Sequence, residues 1–309
     1  MKDFIGFRDI IDGFNKRADK NSLSHAHLII GPDGIGKSII ANIFARKILG
    51  ASDNRDYVDI INYKPKKASF GVDDIREIIE EVTKKPYEGD KKVIIIHQGS
   101  KLTVQAQNAL LKTIEEPPLG VYIIILSESL ELMLDTIKSR CQIYKLTPLD
   151  KQDMIKYIKR LGETQEDRIL SALAYAEGVP GMAEKMLNDD NLSKLRDIII
   201  ELLKDVESKN SSIVLKYEDK LGAYKNEKEE LLNLLTTFIR DIIIYKELED
   251  RNMIINVDRC SEISELANAL SYKKLNSMLD KIRETRVNLN NNTSYIMCIS
   301  VMLIGFLEG

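Results

Sequence analysis

The chain has 309 residues, of which 44% are hydrophobic, so it is long enough for two or three domains with real cores, and no long disordered tract stands out. Its net charge of −3 argues against a broad basic surface for nucleic acid, although a local basic patch at residues 64–67 stays open. Its three scattered cysteines, Cys141, Cys260 and Cys298, exclude a disulfide framework and a metal-binding spacing, and together with the lack of a signal peptide they indicate the cytoplasm.

The first half of the chain alternates strand-like runs with helical patterns. Most of the strand-like runs are continuously apolar and bounded by polar residues, as expected for strands buried on both faces of a sheet. The predicted strands are His27–Ile30, Val58–Asn62, Val93–Ile96, Tyr122–Leu126 and Gln142–Leu146. The predicted helices are Ser38–Leu49, Val72–Lys84 and Thr103–Glu116, the last capped by Thr103 and ended by Pro117-Pro118. This order predicts a βαβ series with a parallel sheet.

After Thr147-Pro148 only helical patterns remain. The predicted helices are Lys151–Leu161, Asp167–Glu177, Met182–Leu187, residues 192–206, residues 231–243, Ile263–Leu270, Leu275–Val287 and Tyr295–Leu307. Leu231–Ile244 is apolar over more than one face, which predicts burial inside a bundle, against a partner chain, or both. The last helix has about thirteen residues, too few for a membrane span, which needs about 20. We therefore expect an α/β domain over residues 1–147, a small helical domain over 148–189 and a helical bundle over 190–309.

The segment Gly31-Pro32-Asp33-Gly34-Ile35-Gly36-Lys37-Ser38 fits the pattern G-x-x-x-x-G-K-[ST] at every fixed position. It follows a predicted strand and opens a predicted helix, which is the context that a phosphate-binding loop needs. The glycines let backbone N–H groups wrap a phosphate, Lys37 reaches the outer phosphates, and the Ser38 hydroxyl can ligate Mg²⁺. The residues assigned to nucleotide binding are Gly31, Gly34, Gly36, Lys37 and Ser38. The alternative is a glycine-rich turn with an accidental lysine.

The strand at which a second nucleotide motif is expected carries no carboxylate. An ATPase of this kind needs an acidic residue at the strand end to hold hydrated Mg²⁺ and a neighbouring glutamate to polarise the attacking water. After Val93–Ile96 the sequence has His97-Gln98-Gly99-Ser100 instead. Mg²⁺ prefers oxygen ligands to a neutral imidazole, and loss of a general base alone typically costs about 10²–10⁴-fold in rate. We interpret His97 as a strand-end histidine in a polar loop, and we expect no ATP hydrolysis by this chain itself.

Four segments resemble the clamp loader subunits of bacterial DNA polymerase III, which belong to the AAA+ family. They are residues 24–32 leading into the loop, residues 106–118 with the sequence AQNALLKTIEEPP, Ser139-Arg140-Cys141, and Asn256-Val257-Asp258-Arg259. The resemblance covers the whole chain but is specific only over residues 24–147. It implies an α/β AAA+ P-loop domain with a parallel sheet, a small helical lid domain and an all-α collar domain. It also implies that such subunits assemble in a five-subunit ring.

The resemblance also implies roles for single residues. Arg140 would be an arginine finger that acts in trans on the ATP site of a neighbouring gamma/tau subunit, whereas its residue type alone indicates a surface salt bridge. Ser127 corresponds to a possible first sensor, although a strand-end serine is its ordinary interpretation. Met182 and Ala183 stand where relatives that hydrolyse ATP carry a second sensor arginine.

Two further features next to these motifs are less specific. Cys141 is interpreted as a packing residue rather than a nucleophile. The acidic pair Glu115-Glu116 lies at the end of its predicted helix where the dipole disfavours negative charge. This placement fits an intersubunit role and a solvated helix end equally well.

Together these features predict a clamp loader subunit that works with gamma/tau and delta subunits in a hetero-oligomer, and indirectly with the sliding clamp and primer–template DNA. It would belong to the polymerase holoenzyme and require no cofactor of its own. ATP or ADP can bind at Lys37, with Mg²⁺ only weakly organised. No zinc is expected, because Gly50–Tyr57 replaces the four-cysteine module that the family often carries. The alternatives are an active gamma/tau-like clamp loader ATPase and a nucleotide-gated scaffold outside replication.

Overall fold

The computed structural model describes residues 5–51, 55–65, 69–206, 212–291 and 293–308. The chain divides into two compact units. The first comprises Met1–Tyr157 and Gly178–Gly181, and the second comprises Ile158–Glu177 and Met182–Gly309. The three-domain division at residues 147 and 189 stays a prediction.

The first unit is built on a five-stranded sheet in which every described pairing is parallel. The strands are β1 (Ala26–Ile30), β2 (Ile60–Tyr63), β3 (Lys92–Ile96), β4 (Val121–Ser127) and β5 (Gln142–Lys145). Their order across the sheet is β2-β3-β4-β1-β5, so β1 lies between β4 and β5. Because the strands run the same way, the loops that follow their carboxyl ends meet at one edge of the sheet. The predicted parallel α/β fold is confirmed.

Helices cover both faces of this sheet. On one face α3 (Val72–Thr83) and α4 (Val104–Glu115) pack on a core that includes Leu28, Ile94 and Ile123. On the other face α1 (Arg8–Asp19) and α2 (Lys37–Leu49) contribute Phe14 and Phe44, whose rings stack at a centroid distance of 3.7 Å. The two faces follow from the alternation of side chains along each strand. The short helix α5 (Asp135–Lys138) lies just before β5.

The second unit is helical throughout its described residues. Its helices are α7 (Glu166–Ala176), α9 (Asp190–Asp205), α10 (Ser212–Gly222), α11 (Lys228–Leu248), α12 (Cys260–Ala269), α13 (Tyr272–Asn290) and α14 (Tyr295–Glu308), while α6 (Lys151–Arg160) and α8 (Pro180–Asn188) each contain a boundary between the units. The apolar residues of α11 from Leu231 to Ile242 are largely buried against α9, α12 and α13 of this same chain. No helix in the described ranges is long and apolar enough to cross a membrane.

The structure differs from the sequence-based prediction in a few elements. Helices α1, α5 and α10 were not predicted, and β2 begins at Ile60 rather than Val58. The shift of β2 has a local cause: the Asp59 carboxylate accepts the backbone N–H groups of Tyr87 and Glu88 at 2.7 and 2.9 Å. Asp59 therefore ties the strand entry to another loop, and the exposed Val58 lies outside the sheet.

Candidate functional site

The loop between β1 and α2 has the backbone conformation that its glycines permit. Gly34 and Gly36 have φ angles of +81° and +105°, in the left-handed region that residues with side chains rarely adopt. Gly36 is also the N-cap of α2, which begins at Lys37. The loop thus brings a helix N-terminus, with its unpaired N–H groups, to the carboxyl edge of the sheet, where an anion can bind.

The Lys37 ammonium is bound by this same loop. Its Nζ donates to the carbonyl oxygens of Gly31 at 2.8 Å and Pro32 at 2.9 Å. A carboxylate oxygen of Asp33 lies 3.9 Å away. Burial lowers the pKa of Lys37, while the carboxylates of Asp33 and Glu128 act in the opposite direction. The donor set fits a nucleotide phosphate, but a phosphate would have to draw the ammonium away from two carbonyls.

A second glycine-rich segment, Gly178–Gly181, lies on the loop. The Gly181 N–H donates to the Gly34 carbonyl oxygen at 2.9 Å. A Cβ atom added at Gly181 would stand 2.7 Å from the Gly34 Cα, a distance that real Cβ atoms do not show. This close approach of two backbones therefore requires glycine. Sequence analysis did not predict this contact with the loop.

His97 follows β3, and its imidazole contacts the end of the phosphate loop at Ser38. Its Nε2 lies 2.8 Å from the Asn62 amide oxygen, and its Nδ1 lies 3.4 Å from the Ser38 hydroxyl. Because an amide oxygen only accepts, the first contact places the proton on Nε2 and leaves Nδ1 to accept from Ser38. Burial, followed by the nearby Lys64 ammonium, lowers the pKa of His97, which favours the neutral imidazole. The hydroxyl that would ligate Mg²⁺ is thus engaged with an imidazole, and Asn62 is a site residue that sequence analysis missed.

Ser127 ends β4 and is fully buried. Its hydroxyl donates to the Ser129 carbonyl oxygen at 3.0 Å, and its own carbonyl accepts the Gly31 N–H at 3.2 Å. The residue therefore supports the start of the phosphate loop through its backbone, while its side chain caps the turn that follows the strand. The possible sensor role of Ser127 stays a prediction.

The sheet brings the predicted loop residues together and sets Arg140 apart from them. Lys37 and His97 follow the carboxyl ends of β1 and β3. Ser127 is the last residue of β4, which lies between those two strands. Arg140 lies between α5 and the first residue of β5, at the amino edge of the same sheet. A strand of five residues separates the two edges by roughly 15 Å. Arg140 is therefore too far from the loop of its own chain to contact a phosphate there.

Arg140 is partly exposed, with 39% of its side chain accessible. Its Nε lies 2.5 Å from a carboxylate oxygen of Glu115, the last residue of α4. Its Nη1 donates to the Thr136 carbonyl oxygen at 3.0 Å and to the Ser139 hydroxyl at 3.2 Å. The arginine is thus both a surface ion-pair partner, as its residue type indicates, and a cation presented to solvent.

The remaining predicted positions are ordinary in chemistry. Burial raises the pKa of the Cys141 thiol to about 12, so it stays protonated at neutral pH, as expected of a packing residue. Within the described ranges no three His, Cys, Asp or Glu side chains are grouped as metal ligands. Residues 52–54 of the segment Gly50–Tyr57, and Lys66 and Lys67 of the basic patch, lie outside the described residues. The absence of zinc therefore stays a prediction.

Comparison with known proteins gives matches to both units. A family model described as DNA polymerase III, delta subunit, matches residues 7–150. A second, described as DNA polymerase III, delta subunit, C terminal, matches residues 186–298. The matches include the phosphate loop, Ser127 and Arg140 as well as helices α9 to α13 of the second unit.

Relatives and a solved structure agree with these models. The DNA polymerase III subunit delta' of Escherichia coli (strain K12) is 29% identical over 248 residues, which are 80% of this chain and 72% of the relative. The corresponding subunit of Haemophilus influenzae is 24% identical over 295 residues, 89% of this chain and 88% of the relative. A DNA polymerase III gamma subunit-related protein of Thermotoga maritima shares the fold, with a TM-score of 0.57 at 17% identity over 96% of this chain and 98% of that one.

The family models cover most of the chain, and relatives named delta' align with it over most of their own length. The chain therefore belongs to the delta-prime family of AAA+ clamp loader subunits of DNA polymerase III.

Proposed function

We propose that this chain supplies Arg140 to the ATP site of a neighbouring gamma/tau subunit and does not hydrolyse ATP itself. The observation that carries this proposal is the position of Arg140 at the sheet edge opposite its own phosphate loop. A partly exposed guanidinium that cannot reach a phosphate in its own chain is suited to act on another one. In an assembled loader with gamma/tau and delta subunits, this action would assist the placement of the sliding clamp on primed DNA.

The chemistry asked of Arg140 is the neutralisation of charge. Negative charge builds on the oxygens of the transferring phosphoryl group, and a guanidinium in a dry site stabilises it at the moment of transfer. An arginine finger supplied in trans contributes about 10³–10⁵-fold in the best-studied cases. Arginine suits the task better than lysine because its planar fork can contact two oxygens together.

The first prediction concerns Arg140→Ala in a reconstituted complete loader. The variant is expected to assemble normally, to lose hydrolysis at the one ATP site that Arg140 serves, and to load clamps more slowly. Rapid-quench measurement of the ATP hydrolysed per loader in the first turnover should show one ATP fewer than in the wild type. Arg140→Lys should recover only part of the loss.

Arg76→Ala is the matched control, because Arg76 is an exposed arginine of the same unit whose ion pair with Asp73 lies within α3. It should leave first-turnover hydrolysis unchanged. Full hydrolysis and clamp loading by the Arg140→Ala loader would refute the finger.

The second prediction concerns the chain's own phosphate loop. His97 follows the strand end where a carboxylate would organise Mg²⁺, its imidazole is bound to Asn62, and Lys37 is held by loop carbonyls. Phosphate release by the isolated protein should therefore lie near background. Calorimetry should show that any nucleotide binding is weakened when Lys37 is replaced. Turnover at or above about 1 s⁻¹, the low end for ordinary enzymes, would instead support the gamma/tau-like alternative.

A further inference from the structure

The ion pair between Glu115 and Arg140 joins two elements that are distant in sequence. Glu115 is the last residue of α4, and Arg140 follows α5 on the way into β5. The Arg140 Nε lies 2.5 Å from the Glu115 carboxylate, and its Nη1 is bound by Thr136 and Ser139 of its own turn. The guanidinium is therefore held at two of its three nitrogens by two separate parts of the fold.

The third nitrogen of the guanidinium, Nη2, is available for a further contact. Among the described residues no hydrogen bond is found from the Arg140 Nη2, although Nε and Nη1 are both engaged. A long arginine side chain loses rotamer entropy when it is held in one geometry. If the free subunit already holds the side chain in one geometry, less rotamer entropy is lost when the guanidinium contacts a phosphate.

The placement of Glu115 also needs an explanation on the helix itself. A carboxylate at a helix C-terminus faces the negative end of the dipole, which is unfavourable by a few tenths of a kcal/mol at an exposed site. Its neighbour Glu116 occupies the C-cap of α4 and has no ion pair with a described residue. The partner of Glu115 is Arg140, so the arginine offsets the unfavourable position of Glu115 and is held by it.

We propose that Glu115 is a positioning residue for Arg140: it holds the guanidinium by Nε and presents Nη2 to the phosphate of a neighbouring subunit. This proposal rests on the function proposed above for Arg140. It assigns no contact between Glu115 and the nucleotide. We expect its loss to lower the rate at the served site by about two- to five-fold, which corresponds to about 0.4–1 kcal/mol, within the range found for exposed ion pairs.

The test uses the complete loader with Glu115→Gln, which keeps the shape of the side chain and removes its charge. The kcat of the loader for ATP hydrolysis at the served site should fall about two- to five-fold with KM for ATP unchanged, because only the orientation of Arg140 is affected. Glu115→Asp should lie between the wild type and the glutamine variant. Glu116→Gln makes the same change one residue further along and should leave kcat unchanged.

A second measurement reports on the arginine without catalysis. The ¹H–¹⁵Nε signal of Arg140 in the isolated, labelled subunit should show a more mobile side chain in Glu115→Gln than in the wild type or Glu116→Gln. In an Arg140→Ala background, Glu115→Gln should cause no further fall in rate, because its effect passes through Arg140.

The possible outcomes separate the two proposals. If Arg140→Ala leaves hydrolysis unchanged, the finger and the positioning role both fall. If Arg140→Ala lowers hydrolysis while Glu115→Gln changes neither kcat nor the Nε signal, only the positioning role falls. A rise in kcat with Glu115→Gln, or an equal fall in the Arg140→Ala background, would also overturn the positioning role.

Discussion

At the scale of single residues, His27 is a buried imidazole inside the first unit. It lies on β1 among the rings of Phe14, Phe44 and Tyr144, and its Nε2 is buried with no hydrogen-bond partner among the described residues. Burial lowers its pKa from the usual 6.5 to about 4, and the nearby Arg17 contributes in the same direction. The folded state therefore holds His27 in its neutral form.

The third prediction is that this imidazole makes the protein less stable in acid. Between pH 6.5 and about 4 the unfolded chain binds a proton at His27 that the folded chain does not, so the free energy of unfolding falls as the pH falls through this range. The shift corresponds to a loss of up to about 3 kcal/mol, which is complete below pH 4. Urea unfolding at a series of pH values should show this dependence.

His27→Gln should flatten the dependence between pH 4 and 6.5, even if it lowers stability at every pH. His25→Gln is the matched control, because His25 is exposed two residues earlier. If His27→Gln and the wild type lose stability in parallel on acidification, the buried imidazole is not the cause.

Residues in contiguous motifs were predicted from the sequence, while contacts between strands were not. The loop Gly31–Ser38 and Arg140 belong to local patterns whose geometry follows from neighbouring residues. The contact of His97 with Asn62 joins positions 35 apart, and that with Ser38 joins positions 59 apart. Both contacts depend on the order of the strands, which a local pattern does not specify.

At the scale of elements, helix α14 carries four exposed apolar side chains. Ile296, Met297, Val301 and Ile304 are all at least 44% exposed, and Met297 is 67% exposed. Their spacing places them on one face of the helix, while Ile299, Met302 and Phe306 are buried on the other. The predicted partner contact of Leu231–Ile244 is not needed to explain its apolar character, because α11 is packed within its own unit. We expect the collar contact at α14 instead.

The fourth prediction is that the double variant Met297→Asp/Val301→Asp weakens assembly of the loader. Each buried aliphatic side chain stabilises an interface by about 1.5–3 kcal/mol, and two buried carboxylates would oppose association. Size-exclusion chromatography with gamma/tau and delta should show incomplete complexes, while circular dichroism of the isolated variant stays unchanged.

Leu248→Asp is the matched control, because Leu248 is an exposed aliphatic residue (54%) on a different helix, at the end of α11. It should assemble like the wild type. If the α14 double variant assembles stoichiometrically, the exposed face of α14 is not part of the collar contact.

Helices rich in apolar residues were predicted, and the polar helix α1 and the short helix α5 were missed. The apolar residues of α1 lie on one face, but they are few among polar and charged ones and only Phe14 is fully buried, so no apolar run marks this helix in the sequence. The turn α5 is only 4 residues long, too short for a helical period to be recognised. The start of β2 moved because the Asp59 carboxylate satisfies a distant turn, a contact that strand propensity does not include.

At the scale of the whole molecule, the parallel sheet and the all-helical second unit were predictable because the sequence pattern changes at Thr147-Pro148. The division into two units was not, since Ile158–Glu177 and Met182–Gly309 form one compact unit while Gly178–Gly181 belongs to the other. That short segment is held in the first unit by backbone contacts at Gly34 and Leu149. Contacts of this kind leave no apolar period in the sequence.

The opposite edges of the sheet give this subunit a direction. Suppose that each subunit places an arginine from one edge of its sheet at the loop edge of the next subunit. The subunits then associate head to tail, and such a row closes into a ring or continues indefinitely. If Arg140 acts as proposed, this chain supplies an arginine to a neighbour's ATP site. An arginine that a neighbour placed at this chain's own loop would have no effect on rate, because the loop is proposed not to hydrolyse ATP. On these two proposals the chain would stand at one end of the row, as a subunit that donates an arginine and has no use for one at its own loop.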